Sequence, residues 1–87
     1  MTTTHELKIL PEYFEVADSM LKPFEVREND RDYTVGDFVV LKECFFDGDK
    51  CVFTGRQTSP RIITYIFDGG GWFCGDVVVL GLQKMDS

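Results

Sequence analysis

The 24 residues from His5 to Glu28, HELKILPEYFEVADSMLKPFEVRE, decide how this chain folds. His5–Leu10 reads as a short strand with Leu7 and Ile9 on one face. Pro11 suits the first position of a helix, where its missing N–H would have gone unpaired anyway. Glu12 and Glu15 fall in the first turns, where acids complement the positive helix end. Phe14, Ala17 and Leu21, spaced by three and four, supply a buried stripe. The spacing predicts a helix over Pro11–Met20 that stops before Lys22-Pro23, because proline disfavours helical geometry at the residue before it. Phe24 and Val26 then alternate with Glu25 and Arg27, the pattern of a strand with one wet face. On that reading Phe24 and Val26 anchor the strand.

Working outward, Asn29-Asp30-Arg31-Asp32 is turn-like, and Val35-Gly36-Asp37 leads into a core strand from Phe38 to Phe46. Asp47-Gly48 is a favoured pair for a two-residue hairpin turn. With those two residues as the loop, Cys44 faces Cys51 across the hairpin, and the return strand runs through Val52-Phe53. Arg61–Phe67 is a further strand, Asp68-Gly69-Gly70-Gly71 breaks it, and Val77–Leu82 is the last. The order is strand, helix, then four or five strands joined by short turns. One helix cannot cover both faces of such a sheet, so the economical α+β, mostly β, architecture is a partly closed barrel with the helix plugging one end.

With 87 residues the chain builds one domain, residues 1–87 with a core over about 5–82. A chain that is 44% hydrophobic and 14% aromatic has enough apolar material for that core. A net charge of −6 argues against duplex DNA and anionic membrane, which draw on a basic field, yet leaves room for a local basic pocket. MTTTHELK has no signal-peptide pattern and no apolar run is long enough to span a bilayer, so the expected compartment is the cytoplasm. Three cysteines without CxxC spacing form no disulfide framework and no metal site. No cofactor motif is present, since Gly69-Gly70-Gly71 lacks the ending of a phosphate loop and precedes a strand. Trp72 and Phe73 after it suit either stacking on a base or covering an open barrel end.

The charges around Pro23 are the main functional candidate. Lys22, Glu25 and Arg27, followed by Asn29, Asp30 and Arg31, place cations beside a carboxylate, a set able to grip an anion or a polarised carbonyl. The competing reading is a solvated strand face whose charges neutralise one another. His5, the only histidine, is either a hydrogen-bonded structural residue or part of a site. No catalytic triad spacing is defensible.

HELKILPEYFEVADSMLKPFEVRENDRDYTVGDFVVLKE, with Phe53-Thr54-Gly55-Arg56 and Ile63-Thr64-Tyr65-Ile66, resembles the DUF3850 family, of the ASCH group within the PUA-like superfamily. The resemblance implies a PUA-like barrel with a helix between its first two strands, binding single-stranded RNA or a nucleotide in a cleft between barrel and helix. Its cleft residues would be Lys22, Glu25 and Arg27, with Lys8 and His5 from the first strand, while Asn29, Asp30 and Arg31 look like the family's signature. Some similar small ASCH proteins are amidohydrolases acting on N4-acylated cytidine through a lysine, a threonine and a glutamate. Here Lys22 is kept but Glu25 stands where that threonine would be. The readings left open are a binding module for RNA or a modified nucleoside, a small amidohydrolase with Lys22 and Glu25 as catalytic candidates, and a protein-interaction domain.

Overall fold

The computed structural model describes residues 2–69 and 75–85. In chain order the elements are β1 (Thr4–Ile9), α1 (Pro11–Asp18), β2 (Phe24–Glu28), β3 (Phe38–Asp47), β4 (Lys50–Gln57), β5 (Arg61–Phe67) and β6 (Val77–Lys84). Strand, helix and five further strands follow in the expected sequence. Gly70, Gly71, Trp72 and Phe73, which carried the loop and stacking expectations, lie outside the described residues, as does Cys74 of the three cysteines.

All six strands belong to one sheet, in the order β1-β3-β5-β6-β2, with β4 also on β3. The length of β3 makes this possible. One edge of it pairs in parallel with all of β1 over Phe38 to Glu43, while the other takes β5 at Phe38–Val39 and then β4 from Lys42 on. Among the described residues β1 and β2 do not pair, so the sheet is not closed by a continuous ladder and carries an open seam. No helix among them is long and apolar enough to cross a membrane.

Strand parity sorts the side chains. Leu7 and Ile9, Val39 and Leu41, Ile63, and Val78, Leu80 and Leu82 share the inner face and pack on Phe14 and Ala17 of α1. Each such side chain contributes about 1.5–3 kcal/mol by leaving water, and this common face fixes the strand registers.

Three expectations are corrected. The helix ends at Asp18, not Met20, because Met20 takes a left-handed conformation (φ 63°) that turns the chain out of the helix. Leu21 therefore leaves the apolar stripe and is 79% exposed. The hairpin loop is Gly48-Asp49, with Asp47 paired to Lys50, one residue later than expected. Gly48 takes the positive φ (63°) that the first loop position of a type II′ turn requires, and Asp49 does not share it. Cys44 is consequently opposite Phe53 and Cys51 opposite Phe46, which leaves the two thiols diagonal neighbours on one face. The third correction concerns β2. Phe24 and Val26 do not anchor it: they are 41% and 53% exposed on the outer face, while Glu25 is buried.

Candidate functional site

The inversion of β2 follows from its partner. Glu25 is in register with Leu80 and Arg27 with Val78, both inner-face core residues of β6. A charge-bearing pair is thus pressed against the apolar core, where an unpaired carboxylate would cost several kcal/mol. Glu25, 3% exposed, is held from both sides. Lys22 Nζ donates to Oε2 at 3.1 Å and Arg27 Nη2 to Oε1 at 2.8 Å. The left-handed turn at Met20 brings Lys22 into place, with the Lys22 amide donating to the Val16 carbonyl and its ammonium lying 5.7 Å from the Phe24 ring centre. The solvated-face reading of these charges does not describe Glu25.

Arg27 also reaches outward. It borders an open cleft of about 290 Å³ in the seam between β1 and β2, while its Nε, which is buried, meets no acceptor among the described residues. The cleft is walled by Glu6, Leu7 and Lys8 of β1, by Arg27 and Glu28 of β2, and by Asp30, Arg31 and Tyr33 of the following segment. Arg31 Nε donates to Asp30 at 3.4 Å, and its guanidinium lies 5.9 Å from the Tyr33 ring centre. Burial pushes the Tyr33 hydroxyl above its ordinary pKa, partly offset by Arg31. Its phenol is therefore a neutral donor and aromatic wall at physiological pH.

The expected site residues are thus divided. Arg27, Asp30 and Arg31 line the cleft, and Glu25 and Lys22 lie behind Arg27. Lys8 borders it from β1, though its strand parity, shared with Lys42, points its side chain to the outer face. Asn29 continues the β2–β6 ladder by donating its amide to Asp76, beside a separate hollow. His5 is buried under the Tyr33 ring, centroids 4.8 Å apart, with Nε2 2.9 Å from Asp37 Oδ2. Asp37 also accepts the amides of Thr3 and Thr34. His5 is the chief cause holding the Asp37 carboxyl below its ordinary value. The pair ties β1 to the entry of β3.

Two features escaped the sequence reading. Tyr33 gave no signal beyond following the charged turn. The other is a further buried carboxylate, Glu43 of β3, 4% exposed. Arg56 grips it at 3.0 and 2.6 Å and the Thr54 hydroxyl at 2.7 Å. Arg56 also donates to Glu15 at 3.0 Å and lies over the Phe14 ring at 4.4 Å, which clamps α1 to the sheet. An acid within the apolar run of β3, followed by Thr54-Gly55-Arg56, was the available signal. Among the described residues no group of three metal-ligating side chains converges.

Fold and site define a class: a small β-rich domain, one six-stranded sheet with a single short helix, bearing a charged cleft at its open seam. Within it, the chain belongs to the DUF3850 family, a domain of unknown function, which it matches over residues 4–82. It is also similar to an uncharacterised 12.9 kDa protein in the GpA 3′ region of Escherichia phage P2, with 38% identity over 72 residues. The match covers 83% of this chain and 62% of the phage protein, so the chain spans less than two thirds of that relative.

Proposed function

We propose that this chain is a binding module that takes a nucleotide, free or within single-stranded RNA, in the seam cleft. The observation that carries this reading is Arg27. It is anchored on a buried carboxylate, so it is pre-ordered at little further entropic cost, and its side chain, still 22% exposed, borders the cleft. Arg31 adds a second guanidinium and Tyr33 an aromatic wall, the combination that grips a phosphate and stacks a base. The resemblance to ASCH domains supports the same reading. On it, the curled sheet with its open seam is a PUA-like barrel left partly closed, and the ligands are cytoplasmic nucleotides or transcripts.

Catalysis has less support. A carboxylate serving as general base for water needs an oxygen open to that water. Both Glu25 oxygens already receive a cationic donor and the residue is almost fully buried. Glu25 therefore orients Lys22 and Arg27 rather than acting on an acylated nucleoside.

Calorimetric titration with the four ribonucleoside monophosphates and a short unstructured RNA tests the proposal. Arg27→Ala and Arg31→Ala each weaken binding about tenfold, as loss of one charge-assisted contact requires. Lys50→Ala, on the distant hairpin, leaves it unchanged. Absence of binding to the wild-type chain, or equal affinity in the arginine variants, rejects the reading. Hydrolysis of N4-acetylcytidine abolished in Glu25→Gln would restore the enzyme.

A further inference from the structure

The hydrogen-bond phase of the two seam strands fixes which main-chain groups face the cleft. In β2, the Leu82 amide donates to the Pro23 carbonyl and the Asn29 amide to the Asp76 carbonyl. Bonded pairs in an antiparallel ladder recur at every second residue. Given the register Phe24 to Gly81, it is Glu25 and Arg27 that exchange bonds with β6, and Phe24, Val26 and Glu28 turn their N–H and C=O to the free side. In β1, the Phe38 amide donates to the Thr3 carbonyl, with Thr4 in register with Phe38. Alternate residues His5, Leu7 and Ile9 therefore bond β3, and Thr4, Glu6 and Lys8 turn their main chain outward.

Glu6, Lys8 and Glu28 are all cleft residues. Glu6 sends its carboxylate to Lys42 at 3.1 Å on the outer face, and Lys8 also borders an outer-face hollow with Cys44 and Phe46. What these residues offer the cleft is mainly amides and carbonyls that no ladder pairs among the described residues. Two strand edges thus face each other across a space at the small end of the roughly 300–1,000 Å³ typical of ligand pockets. Tyr33 and two guanidinium groups close it, and the Asp30 carboxylate disfavours a second or third phosphate.

We propose that the main chain of Glu6, Lys8 and Glu28 reads the donor–acceptor edge of one nucleobase stacked against Tyr33, with Arg27 and Arg31 on a single phosphate. This rests on the nucleotide reading above and adds the source of its base preference. Strand edges carry donors and acceptors at fixed spacing, so they discriminate between bases without a dedicated side chain. A base lacking its exocyclic group leaves one of these groups unpaired.

The test uses the full chain, with AMP, CMP, GMP, UMP and purine riboside 5′-monophosphate as probes. The wild type prefers one base by about tenfold or more, and AMP over purine riboside monophosphate if the preferred base is adenine. Glu28→Ala, which keeps the amide, keeps that preference. Glu28→Pro, which deletes an amide on a free edge where the sheet tolerates proline, flattens it and leaves weak phosphate-driven binding. In the wild type, backbone amide resonances of Glu6, Lys8 and Glu28 shift on titration with the preferred nucleotide, a readout that does not depend on the variant folding. Nucleotide binding with no base preference, a preference unchanged in a folded Glu28→Pro, or amide shifts absent from all three residues overturns this inference alone. No nucleotide binding at all overturns it together with the reading beneath it.

Discussion

Glu25 and Glu43 are the same residue type in the same predicament. Each projects from a strand onto the inner face, each is nearly fully buried, and each is met by an arginine and a second donor. Their arginines differ. Arg56 spends its Nε and both terminal nitrogens on Glu43 and Glu15 and lays its plane over Phe14. Arg27 gives one terminal nitrogen to Glu25, and its side chain, 22% exposed, borders the cleft. A saturated guanidinium is a clamp; one with donors to spare is a hand held out. Buried carboxylates alone do not mark a site, and the accounting of their partners does.

Removing the Glu25 carboxylate tests the comparison most severely. Glu25→Leu leaves Lys22 and Arg27 facing each other without a counter-charge. Breaking a fully buried pair costs roughly 3–5 kcal/mol, but both cations here keep partial solvent access, so the expected loss is about 2 kcal/mol. Urea denaturation measures it, and a variant as stable as wild type would show that the carboxylate does not hold these cations. Next is an exchange of forks for point charges. Arg27→Lys weakens nucleotide binding about tenfold and shifts the urea midpoint little, because the charge stays but the second donor is lost. Arg56→Lys does the reverse, lowering the midpoint and sparing affinity. If both variants lose the same property, the division of labour is wrong.

The third prediction concerns acid. Arg56, then Thr54, holds the Glu43 carboxyl below its ordinary 4.5. A carboxyl depressed in the folded state gives stability that is fully present above its unfolded value. That stability is lost as pH falls through the folded one. Wild-type stability therefore declines from about pH 4.5 downward, and Glu43→Gln flattens this limb of the curve. The decline expected from Asp37, held down first by its bond to His5, begins lower, from an ordinary 3.8, and persists in that variant. An acid limb identical in wild type and Glu43→Gln would remove Glu43 from the clamp. The smallest effect is on the outer face of β2. Val26→Thr, beside Glu25 but half exposed, changes stability by less than about 0.5 kcal/mol. A larger cost would mean that this face is covered in solution.

Much of the fold was legible in local rules. Pro11, the Phe14/Ala17 spacing and Pro23 set strand, helix and strand in order, and Arg61–Phe67 has the bounds its apolar run suggested. The misreadings share one cause, since local pattern cannot see the partner strand. In Phe24-Glu25-Val26-Arg27, alternation alone shows that two residues face each way, and hydropathy picks the wrong side. Register with Leu80 and Val78 decides it, and those residues lie more than fifty positions away. The hairpin slipped by one residue because Asp47-Gly48 and Gly48-Asp49 both suit a two-residue loop, and the pairing of Phe46 with Cys51 selects the second. The charged candidates were found by type, whereas Tyr33 and Glu43 acquire their roles only from what the fold sets against them.

The open seam has a consequence for solubility. A sheet that ends in unpaired edges is a template for the edges of other copies, and proteins blunt that hazard with charge, cover or curvature. Here β1 and β2 face inward on one shared cleft, so a second chain would have to thread between Arg27, Arg31 and Asp30 to add a strand at either of these two edges, unlike at β4, which pairs only with β3 among the described residues. The same recess that keeps amides and carbonyls free for a small ligand keeps them out of reach of aggregation. Variants that strip its charges should be watched for fibres as closely as for lost affinity.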